Sequence, residues 1–134
     1  MRDQDELQRS ATVDVRGITP SAAYSIAAGK APAGVSVLVL GGELDLAAAP
    51  LLGGQVDQVP PGHALVIDLA ETTFIDSAVL KELLRARAEM AARKERLILA
   101  AIPAQVRRLL ALTGTSEHFE EASDAPTAIT RLSG

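Results

Sequence analysis

The chain has 134 residues, 48% hydrophobic and 22% charged, a length that fits one domain able to bury a core without covalent staples. With 13 Lys and Arg against 17 Asp and Glu, the formal charge is −4, which argues against a nucleic-acid groove, since phosphate binding needs a basic surface. Cysteine is absent and the aromatics are Tyr24, Phe74 and Phe119, which excludes disulfides, thiolate metal sites, a cysteine nucleophile and base-stacking platforms.

Residues 1–22 read as an N-terminal extension, either a tail or an extra edge strand. Ala11-Thr12-Val13-Asp14-Val15 alternates, but Gly17 and Pro20 interrupt it. The opening Met1-Arg2-Asp3-Gln4-Asp5-Glu6 has no apolar run behind it, so it is not a signal peptide. Charges break every later apolar run short of the ~20 residues of a membrane span. The expectation is a soluble, cytoplasmic domain with no direct membrane insertion.

Tyr24–Ala27 and Val35–Leu40 alternate or are β-branched around a Gly- and Pro-containing turn, which predicts a hairpin ended by Gly41-Gly42. Asp45 is placed to cap an alanine-rich helix that Pro50 and Gly53-Gly54 should weaken. Ala64–Leu69 is a nearly continuous apolar run, as in a central strand, and a short loop should follow it. Ser77–Lys94 is the strongest helix. Leu80, Leu83, Leu84, Ala88 and Ala91 form its apolar stripe, with Arg85–Glu89 and Glu89–Arg93 at i,i+4 on the solvated side. Leu97–Ile102 predicts a strand, and Pro103 a first helical position. Val106, Leu109, Leu110 and Leu112 line the helix that follows, and Gly114 ends it. Glu117–Glu120 reads as a short strand, and Asp124 as the cap of a terminal helix. Strands alternating with helices imply crossover connections, hence an α/β domain with a largely parallel sheet.

Catalytic patterns are missing. His63 and His118 lack metal-ligand spacing, no phosphate-loop glycine pattern follows a strand, and Ser77 is not in a G-x-S-x-G elbow. No enzyme, metal or cofactor is expected. The segment that stands out is Thr73-Phe74-Ile75-Asp76-Ser77-Ala78-Val79-Leu80, between a buried strand and the best helix. Strand ends and helix starts are where α/β sheets meet ligands and partners. Spacing alone leaves two roles for Ser77. It can cap the helix, although Leu80 stands where a capping box has glutamate. Alternatively its hydroxyl is a phosphate acceptor. Esterification would add about −1.5 to −2 charges at a helix start that tolerates them and a docked partner that does not.

Two motifs give the chain a resemblance to the STAS domain family, specifically the stand-alone bacterial anti-sigma factor antagonists. Gly42-Glu43-Leu44-Asp45-Leu46-Ala47-Ala48-Ala49-Pro50 resembles the family's G-E-L-D-x-A-x-A-P loop. Val66-Ile67-Asp68-Leu69 with Thr73-Phe74-Ile75-Asp76-Ser77 resembles its strand and phosphorylation loop, D-L-x-x-V-x-F-I-D-S-S-G. Arg107–Gly114 is similar to the helix ending before the family's last strand. The resemblance implies a STAS domain over 23–134, with a mixed, mostly parallel sheet of about four to five strands flanked by helices. It implies no catalysis, and binding to an anti-sigma factor that is also an ATP-dependent serine kinase, so that the sigma factor is freed for transcription. That kinase phosphorylates the loop serine and ends binding; a serine phosphatase restores it. On this chain the acceptor is Ser77, and the partner-binding set is Glu43, Asp45, Asp76, Ser77, Ala78 and Lys81. Homodimerisation is left open.

Three positions depart from the family pattern: Ala78 and Val79 replace a hydroxyl residue and a glycine, and Lys81 replaces a small residue. A valine in place of glycine should obstruct close backbone approach. The other roles weighed are a scaffold or accessory subunit of a signalling assembly or membrane transporter without a switch, a small nucleotide- or lipid-binding domain, and an enzyme.

Overall fold

The computed structural model describes residues 23–133. The proposed extension, with its alternating segment at 11–15, lies outside them. Elements follow in the order β1 (Tyr24–Ala28), β2 (Val35–Leu44), α1 (Ala48–Asp57), β3 (Ala64–Ile75), α2 (Ser77–Ala92), β4 (Leu97–Ala100), α3 (Ala104–Leu112), a 3-10 turn at Ser116–His118, β5 (Glu120–Ala122) and α4 (Ala125–Ser133). The five strands lie in sequence order, β1 antiparallel to β2 and every later pair parallel.

That order fixes the layers. Crossovers between parallel neighbours in one sheet are right-handed, so successive crossovers in one direction put their helices on one face. Leu52 and Val56 of α1, Leu83, Ala86 and Met90 of α2, and Val106 and Leu110 of α3 accordingly pack on Leu38, Leu40, Leu65, Ile67, Leu69, Leu97 and Leu99. The alternate residues Val35, Val37, Val66, Ile98 and Ala100 face the other way, where α4 brings Ala128. Asp124 Oδ1 accepts from Thr127 N at 2.8 Å, the expected cap of α4.

The two strands that matter most run on past their predicted ends. β2 continues through Gly41-Gly42 to Leu44, and β3 through the expected loop to Ile75. Register shifts at Val39/Gly41 and Gly42/Glu43 absorb the irregularity. Gly42 has φ +78°, and a Cβ there would lie 2.1 Å from the Ala23 carbonyl oxygen, the group that accepts from Glu43 N at 2.7 Å. The double glycine is thus a bulge inside the strand. Thr72, buried in the extended part of β3, donates to the Leu40 carbonyl at 2.8 Å.

α1 forms in full despite its composition. Pro50 falls in the first turn, where a missing N–H is harmless. Gly53 is a contact point: a Cβ there would sit 2.7 Å from Glu82 Oε1. Its bareness lets Arg85 donate to the Gly53 carbonyl at 3.2 Å while holding Glu82 at 2.9 Å and Asp57 at 3.3 Å. Arg85 is therefore committed to α1 and Glu82 instead of the predicted Glu89. The Glu89–Arg93 pair does form, at 3.1 Å.

Several smaller expectations are corrected. β4 stops at Ala100, because Ala101 turns to φ +56°. Pro103 is the N-cap of α3 and not its first helical residue. Leu112 lies on the solvent side of α3, 79% exposed. The residues before Glu120 curl into the 3-10 turn, so β5 begins at Glu120.

Two left-handed positions predict opposite outcomes. At the end of α2, Lys94 holds φ +61°, and the Lys94 and Glu95 amides donate to Ala91 and Met90, a Schellman cap that favours glycine. Urea denaturation should find Lys94→Gly more stable by about 0.5–1 kcal/mol. Gly42→Ala should be less stable by about 2 kcal/mol or more, because clash is added to strain. A destabilised Lys94→Gly would contradict this reading. A third expectation concerns acid. Arg96, then burial acting in the opposite sense, then Arg131 set the Glu120 carboxyl, with a net shift below its ordinary range. A carboxyl lowered in the folded state stabilises above its unfolded pKa of about 4.3, and that contribution fades as pH falls through the folded value. Melting temperatures of Glu120→Gln and the native protein should therefore differ at neutral pH and converge in acid.

Candidate functional site

Parallel register builds the site. Glu43 pairs with Phe74 and Leu44 with Ile75, so the residue after each strand, Asp45 and Asp76, leaves the sheet beside the other. Asp76 N donates to the Leu44 carbonyl at 3.2 Å, extending the pairing one residue beyond the strand. Neighbouring strands lie about 4.8 Å apart, so the β2–α1 and β3–α2 loops form one surface at the C-terminal end of the sheet.

On the first loop, Asp45 turns the chain without capping α1. Its Oδ1 accepts from Ala47 N at 3.0 Å and its carbonyl from Ala48 N at 2.9 Å. The residue at the N-cap position of α1 is Ala47, with no side-chain cap. Asp45 is too far upstream to reach the second or third helical N–H, so the predicted cap is an Asx turn. Its side chain is exposed, as is that of Glu43.

On the second loop, Asp76 is extended (φ −100°, ψ −177°) and its Oδ1 accepts from Val79 N at 3.0 Å, so it is the N-cap of α2. This settles the first of the two roles weighed for Ser77: the capping work is done one residue earlier. Ser77 is the first residue of α2 and exposed. Its hydroxyl makes no hydrogen bond among the described residues. An accessible hydroxyl beside free helix-terminal N–H groups is chemically a phosphoryl acceptor, because the charge it would gain lies where the helix dipole favours anions.

Ala78 is half-buried and Lys81 exposed, one turn after Ser77 on α2. Val79, expected to obstruct approach to the backbone, is fully buried among the α1, α2 and β3 side chains. Its side chain points away from the surface, and the replacement of glycine leaves that surface unobstructed.

Sequence reasoning missed the apolar part of the surface. Leu46, next to Asp45 on the β2–α1 loop, is 71% exposed, and Phe74, at the end of β3 just before Asp76 and Ser77, is 47% exposed. A signal for Phe74 was available: on a strand of period two, Phe74 and Ile75 cannot both face the core. Leu46 gave none, because its exposure follows from the Asx turn ahead of α1. Among the described residues no group of three or more His, Asp or Glu is placed to hold a metal ion, and no helix is long and apolar enough to cross a membrane.

Comparison with known proteins places this geometry. No curated protein matches the chain. An anti-sigma factor antagonist from Mycobacterium paratuberculosis is similar in structure at TM-score 0.72 and 27% identity, covering 87% of this chain and all of that one. The Bacillus cell fate determinant SpoIIAA, in its phosphorylated form, is similar at TM-score 0.64 and 20% identity over 80% of this chain and 98% of its own. A sulfate transporter family protein from Wolinella succinogenes shares the fold at TM-score 0.68 and 17% identity, over 78% of this chain and 89% of that one. The family model described as "Mlab, STAS domain" matches residues 27–121, a stretch running from β1 into β5 through both loops of the site, and the chain therefore belongs to the STAS domain family.

Proposed function

We propose that this chain is an anti-sigma factor antagonist whose docking surface is the paired β2–α1 and β3–α2 loops, and that phosphorylation of Ser77 by its kinase partner ends docking. The observation that carries the reading is the state of Ser77: exposed, free of hydrogen bonds among the described residues, and relieved of capping by Asp76. The similarity to the mycobacterial antagonist supports the choice of partner class. The phosphorylated SpoIIAA shows that this fold accommodates the modification in a relative.

The physics of the switch is local. Leu46 and Phe74 supply apolar area that a partner can bury, at about 25 cal/mol per Å². Glu43, Asp45 and Lys81 supply a polar rim that sets orientation. A phosphate on Ser77 adds about −1.5 to −2 charges within a loop surface that already holds Glu43, Asp45 and Asp76. Docking would then have to desolvate or repel a dianion, a cost of several kcal/mol that is enough to release the partner. The fold is unaffected, because the charge sits at the start of α2 and the cap belongs to another residue. A serine phosphatase reverses the modification. The chain acts by binding and carries no reaction of its own.

A second reading has a specific observation behind it. Apolar residues as exposed as Leu46 also suit a permanent subunit contact, as for a STAS accessory subunit of a signalling assembly or transporter. The two readings diverge on charge at position 77.

Incubation with a kinase-type anti-sigma factor and ATP should place phosphate on Ser77, mapped by mass spectrometry. Ser77→Ala should bind the kinase and accept no phosphate, whereas Ser77→Asp should lose the complex at an unchanged melting temperature. Wild-type binding by Ser77→Asp would favour the permanent contact over the switch. Phe74→Ala and Leu46→Ala should each weaken the complex by about ten-fold, the effect of losing a buried anchor. Asp45→Asn keeps the acceptor of the Asx turn and removes only charge, so any loss of binding without loss of stability identifies Asp45 as a contact and not merely a turn residue.

A further inference from the structure

Lys81 puts a positive charge in the site at a position where the STAS resemblance leads one to expect a small residue. Ser77 and Lys81 stand at i and i+4 of α2, both exposed. Residues so spaced are neighbours on a helix surface, their Cβ atoms about 5–6 Å apart, and an acid placed N-terminal to a base is the better orientation. The remaining charges close to Ser77 are acidic: Glu43 and Asp45 on the β2–α1 loop and Asp76 on the β3–α2 loop. The loop leading from β4 to α3, Ala101-Ile102-Pro103, is uncharged. On α2 itself, Glu82 is held by Arg85, and Arg85 is committed to Glu82, Asp57 and the Gly53 carbonyl. Lys81 has no ion-pair partner among the described residues, and it is the only cation in the first two turns of α2.

We propose that Lys81 is the intramolecular counter-ion of a phosphate on Ser77. The inference rests on the phosphorylation of Ser77 proposed above and concerns what the chain does with the phosphate once it is there. In the unmodified protein the ammonium is solvated and open to a partner's carboxylate. In the phosphorylated protein it is drawn one turn back along α2 to the phosphate oxygens, a charge-assisted contact between ends of flexible side chains. One modification thus adds a dianion and withdraws the only cation that the first two turns of α2 offer. Lys81 also favours the dianion over the monoanion, so the gate stays fully charged at lower pH than it would without this lysine.

The test needs no kinase. Phosphoserine is installed at position 77 during translation, and its second ionisation is followed by phosphorus NMR in the otherwise native protein, in Lys81→Met and in Lys81→Arg. The pKa should lie about 0.2–0.4 higher in Lys81→Met, with Lys81→Arg restoring the native value and the difference shrinking in high salt. Identical titrations in the native and Lys81→Met proteins would overturn the pairing. Melting of the unmodified variants guards against a folding artefact, since an exposed lysine without a partner should be replaceable at no cost in stability. Failure of any kinase to modify Ser77 would count against the proposed switch and leave this titration valid. Equal pKa values alongside phosphate-sensitive docking would remove Lys81 and leave the switch.

Discussion

Parallel pairing of β2 with β3, carried out to Leu44 and Ile75, decides where everything at this end of the molecule goes. Because the two strands end in register, the residues that follow them emerge side by side, and the Asp76 amide donates back to the Leu44 carbonyl. Two loops 31 positions apart in sequence, at Asp45 and Asp76, thereby become one surface. The bulge at Gly41-Gly42 is part of the same constraint, since it lets β2 pass close to Ala23 and still reach Leu44 in pairing distance. A shift of one residue would turn Leu44 and Ile75 outward and bury Glu43 and Phe74. The hydrophobic core and the proposed docking surface thus depend on a single register.

Within that surface the tasks of holding and responding are divided between adjacent residues. Asp76 satisfies the start of α2, and Asp45 turns the chain into α1. Ser77 holds nothing, so a modification of its oxygen disturbs no hydrogen bond that the fold uses. Stability resides elsewhere, in the apolar stack of α1, α2 and α3 on one face of the sheet and in α4 on the other. The salt-linked group of Arg96, Glu120 and Arg131 ties β5 and α4 to the chain just before β4. A binding switch can operate at one end of such a sheet without being felt at its edges.

Much of the architecture was legible because its determinants are local. Apolar alternation and continuous apolar runs located β1 to β4, the short β5 was placed too early, and the stripe of Leu80 and Leu83 with the charges opposite located α2. What the sequence concealed came from tertiary compensation. Gly41-Gly42 looks like a strand end, since local propensity takes no account of the Ala23 carbonyl that makes a bulge favourable. The continuation of β3 through Thr72 depends on a hydrogen bond to Leu40, 32 positions away. Gly53 looks like a defect in α1 until Arg85 and Glu82 are seen lying across it. At the site, the structure brings Glu43 and Asp45 at the end of β2 beside Asp76, Ser77, Ala78 and Lys81 at the start of α2. The motifs could not assign the cap to Asp76, because Asp and Ser are both good N-caps and only the backbone angles choose. Val79 was misjudged for the same reason: which face of a helix a residue occupies depends on where the helix starts.

The central claim is that one surface, formed by the ends of β2 and β3 with the first turns of α2, receives the anti-sigma partner. Amide hydrogen exchange of the complex tests it most directly. Slowed exchange on complex formation should be confined to residues 43–48 and 74–81, with β5 and α4 unchanged. Protection that appears instead over α4 and the sheet face beneath it, with the two loops exchanging as in the free protein, would contradict the account.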